Sequence, residues 1–583
     1  MTTPGTYREN DESPVALAPH RSQFDRPRDW VLVAAIIAVV IGVALRAWFI
    51  FHDPTNSDEA VAGLIARQIL HGHTYAFFWG QPVGGVEPYA LAAFLWLFGP
   101  NGQTLALAPV TLSVVAALLV WRVARRLVKD PALAVLAGAL TWASPLAAVY
   151  NSTVEGGYRG VTLACGLAAL LIALRILDGE MRYREFVMLG LVAGVGWWAL
   201  PEIVYFLLPA GLLVASAIVR WPKGLRFDRW VGKLGVCLLA SCAGALPWLW
   251  ANVQSGFASL DPSKFPGTVT PLNPGMLGRL RIFFVDALPL QLNLRRFDDG
   301  RWLFGVSGSS PLHRVLLVAV VAVVLAVVVL SVVLCFLRGG RAVAVGAAVV
   351  AYPFLVALQP MTWFWIDGRY TVYTGALLSL SVVIGVEEGV RRFRRRERRD
   401  VDRRDARRAR SGFSIVVTGS VLLALLAFHQ SFGVTPSSFA TGWGDPDQAT
   451  RTTIASLERQ GVRTGYADYW VAYKLDLLSG GSLAITVAGA DPDRWQALDH
   501  QVSTSADPAW LFVPATQMSI AHSQFDAPSE IRGPGGLDEA SFTAMLRQRK
   551  IPYRVIDARL IQAVVPVRPV SRSVANYPTG PPA

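Results

Sequence analysis

Residues 31–60 read VLVAAIIAVVIGVALRAWFIFHDPTNSDEA, and their reading decides the architecture. From Val31 to Phe51 the only charge is Arg46. About 20 apolar residues cross the hydrocarbon core as a helix, so this stretch is a membrane span. It ends in a polar turn, Asp53-Pro54-Thr55-Asn56. Beyond that turn Val61, Leu64, Ile65, Gln68 and Ile69 fall at i, i+3, i+4, i+7 and i+8, one face of an amphipathic helix. Such a helix directly after a span is expected in the interface, with Asp58 and Glu59 in its first turn. Asn56 followed by Glu59 three residues later is a variant of the capping box, and first-turn acids suit the helix dipole. Capping and chemistry are compatible readings of the pair, because a cap fixes Asp58 in place.

The rest of the chain repeats the apolar pattern. Of its 583 residues, 53% are hydrophobic and 16% charged, and the mean hydropathy is +0.40. Soluble globular chains carry about 25% charged residues. Apolar length predicts about eleven spans, near 31–51, 104–121, 132–149, 161–177, 186–200, 203–219, 234–251, 312–337, 342–359, 370–389 and 413–432, with a further partial helix at 88–99. The net charge of +13 does not indicate a nucleic-acid partner. From Arg391 to Arg410 there are 12 Arg against Glu397, Asp400, Asp402 and Asp405, so one loop between two spans supplies +8 of it. That is a topogenic cytoplasmic loop, with contact to anionic membrane lipid as a secondary role.

The other short basic segments alternate in the same register. Arg26 and Arg28 precede the first span, Arg125 and Arg126 follow the second, Arg182 and Arg184 the fourth, Arg226 and Arg229 the sixth, and Arg338 and Arg341 the eighth. With eleven spans all are cytoplasmic, as is the tail 1–30. The membrane part is then 31–432, and the first outer loop is 52–103. Cys165, Cys237, Cys242 and Cys335 all fall in spans, without metal-ligand spacing. Residues 433–583 are of ordinary polarity. They read as a small α/β extracytoplasmic domain with helices at Ala449–Gln460 and Leu537–Gln548, a turn and second helix over Gly465–Leu478, and strands at Leu483–Val487, Ala509–Val513, Tyr553–Ile556 and Ile561–Val565.

The first loop continues through His71-Gly72-His73 to Gly80-Gln81-Pro82 and Glu87-Pro88-Tyr89. An Asp-Glu-Ala opening a helix, a Gly-Gln-Pro stretch and a Glu-Pro-Tyr before the next span resemble bacterial membrane glycosyltransferases of the GT-C superfamily. The resemblance is to the protein-mannosyltransferase-like group (glycosyltransferase family 39) and the lipid A aminoarabinose transferases. It extends to Asp367-Gly368-Arg369-Tyr370 and to Gly465–Lys474. The segment after Tyr370 runs Thr371-Val372-Tyr373 in place of the Leu-Pro expected from relatives.

The resemblance implies transfer of a sugar from a polyprenyl-phosphate donor to a glycan, lipid or protein acceptor on the outer face, with inversion. It implies Asp58 as general base, and Glu59 enters the catalytic set beside it. A carboxylate takes the proton as the acceptor hydroxyl attacks the anomeric carbon. The departing lipid phosphate calls for fixed cations and donors. Arg159, Arg369, Tyr370 and His71 are the candidates, with snorkelling or an anchoring ion pair as the alternative for each arginine. Glu87 either binds the sugar or caps a helix. Asp367 either pairs with Arg369 or meets a metal. The family has metal-dependent and metal-independent members, so a divalent cation stays open although no His/Cys ligand set appears. The competing class is a transporter or flippase of a lipid-linked glycan, which calls for charges inside its spans, and these spans hold almost none.

Overall fold

A computed structural model describes residues 27–143, 145–154, 156, 159–220, 227–261, 274–296, 300–302, 310–359, 368–397, 444–488, 494–527 and 530–571. The first half runs through helices α1 (Pro27–His52), α2 (Ser57–Leu70), α3 (Glu87–Phe98), α4 (Leu107–Leu127), α5 (Pro131–Ala143), α6 (Arg159–Leu177), α7 (Tyr183–Ala199), α8 (Val204–Arg220) and α9 (Phe227–Gly244). It continues with α10 (Pro311–Arg338), α11 (Ala342–Ala357) and α12 (Tyr373–Glu397).

Among the described residues six helices are long and apolar enough to cross a membrane, seven if Trp230–Gly244 and Leu246–Gln254, bent by 65°, form one broken span. The predicted span 132–149 divides into α5 and a short helix Leu146–Asn151, because Pro145 has no N–H to donate to a continuing helix. The predicted spans at 186–200 and 342–359 fold as α7 and α11, of 17 and 16 residues. The predicted span 413–432 lies outside the described residues, as does most of the Arg-rich loop.

The apolar residues sort into two main cores. One joins α4, α5, α6, α7, α8, α11 and α12 around Phe186, Phe206, Tyr352 and Tyr373. The other belongs to the C-terminal sheet, and α2 and α3 are part of it. That sheet has five strands, β1 (Thr464–Ala467), β2 (Ala484–Val487), β3 (Ala509–Phe512), β4 (Tyr553–Ala558) and β5 (Ile561–Pro566), in the order β2-β1-β3-β5-β4. β1 is parallel to β2 and β3, and the β4–β5 hairpin adds antiparallel to β3. The helix α13 (Gln448–Arg459) precedes β1, and α14 (Tyr469–Leu478) crosses from β1 to β2. Gly465–Ala467, expected as a turn, is therefore a strand, fixed by its pairing with Ala484–Val487 and Ala509.

The location of α2 differs from expectation in a way that matters. An interfacial helix keeps one polar face wet, yet Ala60 through Ala66 are fully buried apart from Gly63, which is enclosed as well. The small residues on the nominally polar face are the cause. Ala60, Ala62 and Gly63 let α14 approach closely, and a Cβ at Gly63 would stand 2.9 Å from Leu477. Helix α2 is thus packed into the C-terminal core on both of its faces.

Candidate active site

The turn 53–59 joins α1 to α2 and is tied down at nearly every residue. The Asn56 side chain accepts from the Glu59 amide (3.0 Å), and the Asn56 amide donates to Glu59 Oε2 (3.0 Å), a complete capping box. Glu59 is buried at 7% exposure and its described hydrogen bond is to this cap. The Thr55 amide and hydroxyl both donate to Asp447 (3.1 and 2.7 Å). Asp447 also meets Lys474 at 2.6 Å, with both side chains fully enclosed. Lys474 donates further to the Gln524 carbonyl. Burial pulls the Lys474 ammonium below its usual value, and the Asp447 charge opposes that fall.

Asp58, next to this cap, points the other way and stays open. Its side chain is 36% exposed. The Tyr469 hydroxyl donates to Oδ1 at 2.6 Å, and Arg369 Nη1 stands 3.5 Å from Oδ2. Arg369 arrives from the entry to α12 through Gly368, whose φ of 77° few residues but glycine adopt. The Gly368 carbonyl accepts from Gln291 Nε2 (3.1 Å), which also donates to Thr371 Oγ1 (2.9 Å).

A second constellation gathers around Tyr370, the next residue after Arg369. The Arg159 guanidinium sits 4.2 Å from the Tyr370 ring centroid, a cation–π contact. Its charge acts on two buried acids, Glu87 (1% exposed) and Glu202 (4%). Glu202 accepts from the Tyr373 hydroxyl (2.7 Å) and from Gln359 (2.9 Å). Of the residues singled out from sequence, the structure therefore gathers Asp58 with Arg369, and Tyr370 with Arg159 and Glu87. His71 is not among them: its Nδ1 meets the Arg67 carbonyl (2.8 Å) at the far end of α2, about 20 Å along the helix from Asp58. Asp367 lies outside the described residues.

Behind the turn, Asp53, Glu59, Tyr150, Thr153 and Asp526 line a cavity of about 20 Å³, room for on the order of one water. Burial, with Asp526 nearby, pushes the Asp53 carboxyl up to about 7. Burial raises Asp526 as well, against hydrogen bonds from Asn56 and Tyr150 and the Lys474 charge. Among the described residues no group of three or more His, Cys, Asp or Glu is disposed to hold a metal ion.

Sequence reasoning held Tyr469 within the Gly465–Lys474 segment without pairing it to Asp58, and it missed Asp447, Asp526 and the anchoring role of Lys474. One signal was available. Lys474 and Asp476 interrupt an otherwise apolar helix, YWVAYKLDLL, and a charge on a buried helix must find a partner. Asp476 does so with Arg67 of α2 at 3.8 Å.

Residues 83–248 match the family model described as dolichyl-phosphate-mannose-protein mannosyltransferase. The segment contains Glu87, Arg159 and Glu202, whereas Asp58, Arg369 and Tyr469 lie outside it. The polyprenol-phosphate-mannose–protein mannosyltransferase of Mycolicibacterium smegmatis (strain ATCC 700084 / mc(2)155) is 26% identical over 232 residues, which is 38% of this chain and 44% of that protein. The match thus spans less than half of the relative's length. The crystal structure of ArnT from Cupriavidus metallidurans bound to undecaprenyl phosphate superimposes with a TM-score of 0.53 at 12% identity, covering 93% of this chain and 98% of that one. Its apo state gives the same TM-score. The protein is a membrane protein with the fold of the GT-C glycosyltransferase superfamily. Within that class, its sequence likeness is to the protein mannosyltransferases.

Proposed function

We propose that the protein transfers a sugar from a polyprenyl-phosphate donor to an acceptor hydroxyl at the outer face of the membrane, with Asp58 as general base. One observation carries the reading: a half-exposed carboxylate held between a cation and a phenol, on a turn every neighbouring residue of which is anchored. The acceptor O–H gives its proton to Asp58 as the oxygen attacks the anomeric carbon. The bond from that carbon to the phosphate oxygen breaks, and polyprenyl phosphate leaves with the electron pair. A single displacement of this kind inverts the anomeric centre. Arg369, beside Tyr370 in the chain, and Arg159, over its ring, are the cations for the leaving phosphate. Glu87 and Glu202 hold Arg159 in place, and Glu59 serves the turn as its cap.

The likeness to a polyprenol-phosphate-mannose-dependent enzyme favours mannose as the sugar and a protein hydroxyl as the acceptor. The alternating basic loops support an extracytoplasmic site and C-terminal sheet. The test is transfer by the purified protein in liposomes from radiolabelled polyprenyl-phosphate mannose to an added secreted protein. The expected result is label on the protein and free polyprenyl phosphate in equal amounts. Label crossing the bilayer on intact lipid, with none on the acceptor, overturns the reading in favour of a flippase.

A further inference from the structure

The C-terminal sheet does more than cover the first loop. We propose that Tyr469, from α14, is a positioning residue for the Asp58 carboxylate, so that a segment far along the chain completes the reaction centre. The proposal rests on the reading of Asp58 as the base.

Two hydrogen bonds tie Tyr469 to consecutive residues of α2. Its hydroxyl donates to Asp58 Oδ1 at 2.6 Å, and its carbonyl accepts from Ser57 Oγ at 2.6 Å. The phenol therefore reports the position of the α2 first turn directly to the carboxylate. Its own placement is fixed. Tyr469 is 8% exposed, and its ring meets Trp470 and Tyr473 edge-on at 5.1 and 5.6 Å. Asp468 caps α14 from its N-terminus, accepting from the Trp470 amide (2.9 Å) and the Arg532 amide (3.1 Å). One turn further on, Lys474 pins the same helix to Asp447, which in turn holds Thr55. Both ends of the arrangement thus converge on the turn that carries Asp58.

The charged surroundings decide what the phenol contributes. Arg369 faces Oδ2 at 3.5 Å. Glu59 adjoins on α2, Asp526 stands beyond Asn56 at 3.3 Å from Nδ2, and Arg494 lies 5.7 Å from the Tyr469 ring centroid. Arg494 also donates to the Trp79 and Gly80 carbonyls (3.4 and 3.3 Å), which carries the arm onto the far side of the first loop. Burial and the Asp58 charge hold the Tyr469 hydroxyl well above its usual value, so it remains a donor throughout the working pH range. A carboxylate oxygen offers two lone pairs, so Oδ1 accepts from the phenol and still has one for an acceptor hydroxyl. Without the phenol, Oδ1 loses the donor that fixes its rotamer, and the carboxylate is free to turn fully to Arg369.

The experiment compares Tyr469→Phe with Ser57→Ala in the full-length protein, using polyprenyl-phosphate mannose as the probe donor. Phenylalanine keeps the ring packing and removes only the hydroxyl, whereas Ser57→Ala removes the other tie between Tyr469 and the first turn of α2. The expected result for Tyr469→Phe is a fall in kcat of about ten-fold with donor KM changed by less than about two-fold. The acid limb of its pH–rate profile moves to higher pH, because the ionised base has lost a donor. Ser57→Ala leaves that limb where it is. Wild-type kcat and an unmoved limb in Tyr469→Phe overturn the proposal, as do equal losses in both variants with neither limb moved. Full activity in Asp58→Asn is a different outcome: it removes the reading of Asp58 as base.

Discussion

Arg369 precedes Tyr370 in the chain and Arg159 lies over its ring, and the two arginines keep different company. Arg369 meets Asp58 at 3.5 Å, in a pair whose side chains are 29% and 36% exposed. Arg159 stacks on Tyr370 and faces Glu87 and Glu202, which are 1% and 4% exposed. The first pair is assembled from three distant parts of the chain, with Tyr469 as the third member. The second is built within the helical bundle, and its carboxylates are already engaged or enclosed. A base must present a free lone pair to its substrate, and only Asp58 of these acids has both open surface and a fixed rotamer. The buried acids are suited to a different task, which is to hold an arginine that would otherwise be costly to place there.

Replacing each member tests this division. Arg159→Ala removes the cation whose charge acts on two buried acids, while Glu202 keeps its hydrogen bonds from Tyr373 and Gln359. The expected outcome is loss of the folded protein from detergent extracts, measured by size-exclusion yield and thermal midpoint. Arg369→Ala removes a half-exposed pair, worth less than about 1 kcal/mol of stability. Its thermal midpoint stays near wild type while transfer falls on the order of 100-fold, the scale of losing one group that stabilises a leaving charge. If Arg369→Ala unfolds the protein and Arg159→Ala does not, the two constellations have been assigned the wrong way round.

A smaller effect concerns the join between α2 and the C-terminal core. Burial pushes the Asp476 carboxyl up to about 7 despite Arg67 nearby. An acid whose folded value is raised contributes stability that is complete below its ordinary value near 3.8 and lost as pH rises through about 7. The thermal midpoint of the wild-type protein should therefore fall between pH 5 and pH 8, and Asp476→Asn should flatten part of that fall.

The helical fold was legible because apolar length is a local property. Six of the eleven predicted spans coincide with helices long and apolar enough to cross a membrane, seven with the bent pair; 132–149, 186–200 and 342–359 fold as shorter or broken helices, and 413–432 lies outside the described residues. The capping box at Asn56 and Glu59 was legible for the same reason, since its partners are three residues apart. The company of Asp58 was not. Tyr469 stands 411 positions away in sequence, and no spacing rule connects the two. The burial of the second face of α2 was not legible because its periodicity recorded one apolar face. The alanines and Gly63 opposite, which admit α14, look neutral in a sequence. His71 stood out by residue type, but its ring serves the C-terminal end of α2.

Whether Asp58 takes the acceptor proton is decided by Asp58→Asn, because asparagine keeps the size and the Tyr469 hydrogen bond while losing the basicity. The measurement is the initial rate of label transfer from polyprenyl-phosphate mannose by the purified variant, beside its thermal midpoint. The expected rate is lower by about 10²–10⁴-fold with an unchanged midpoint. A variant that folds normally and transfers at the wild-type rate contradicts that role for Asp58.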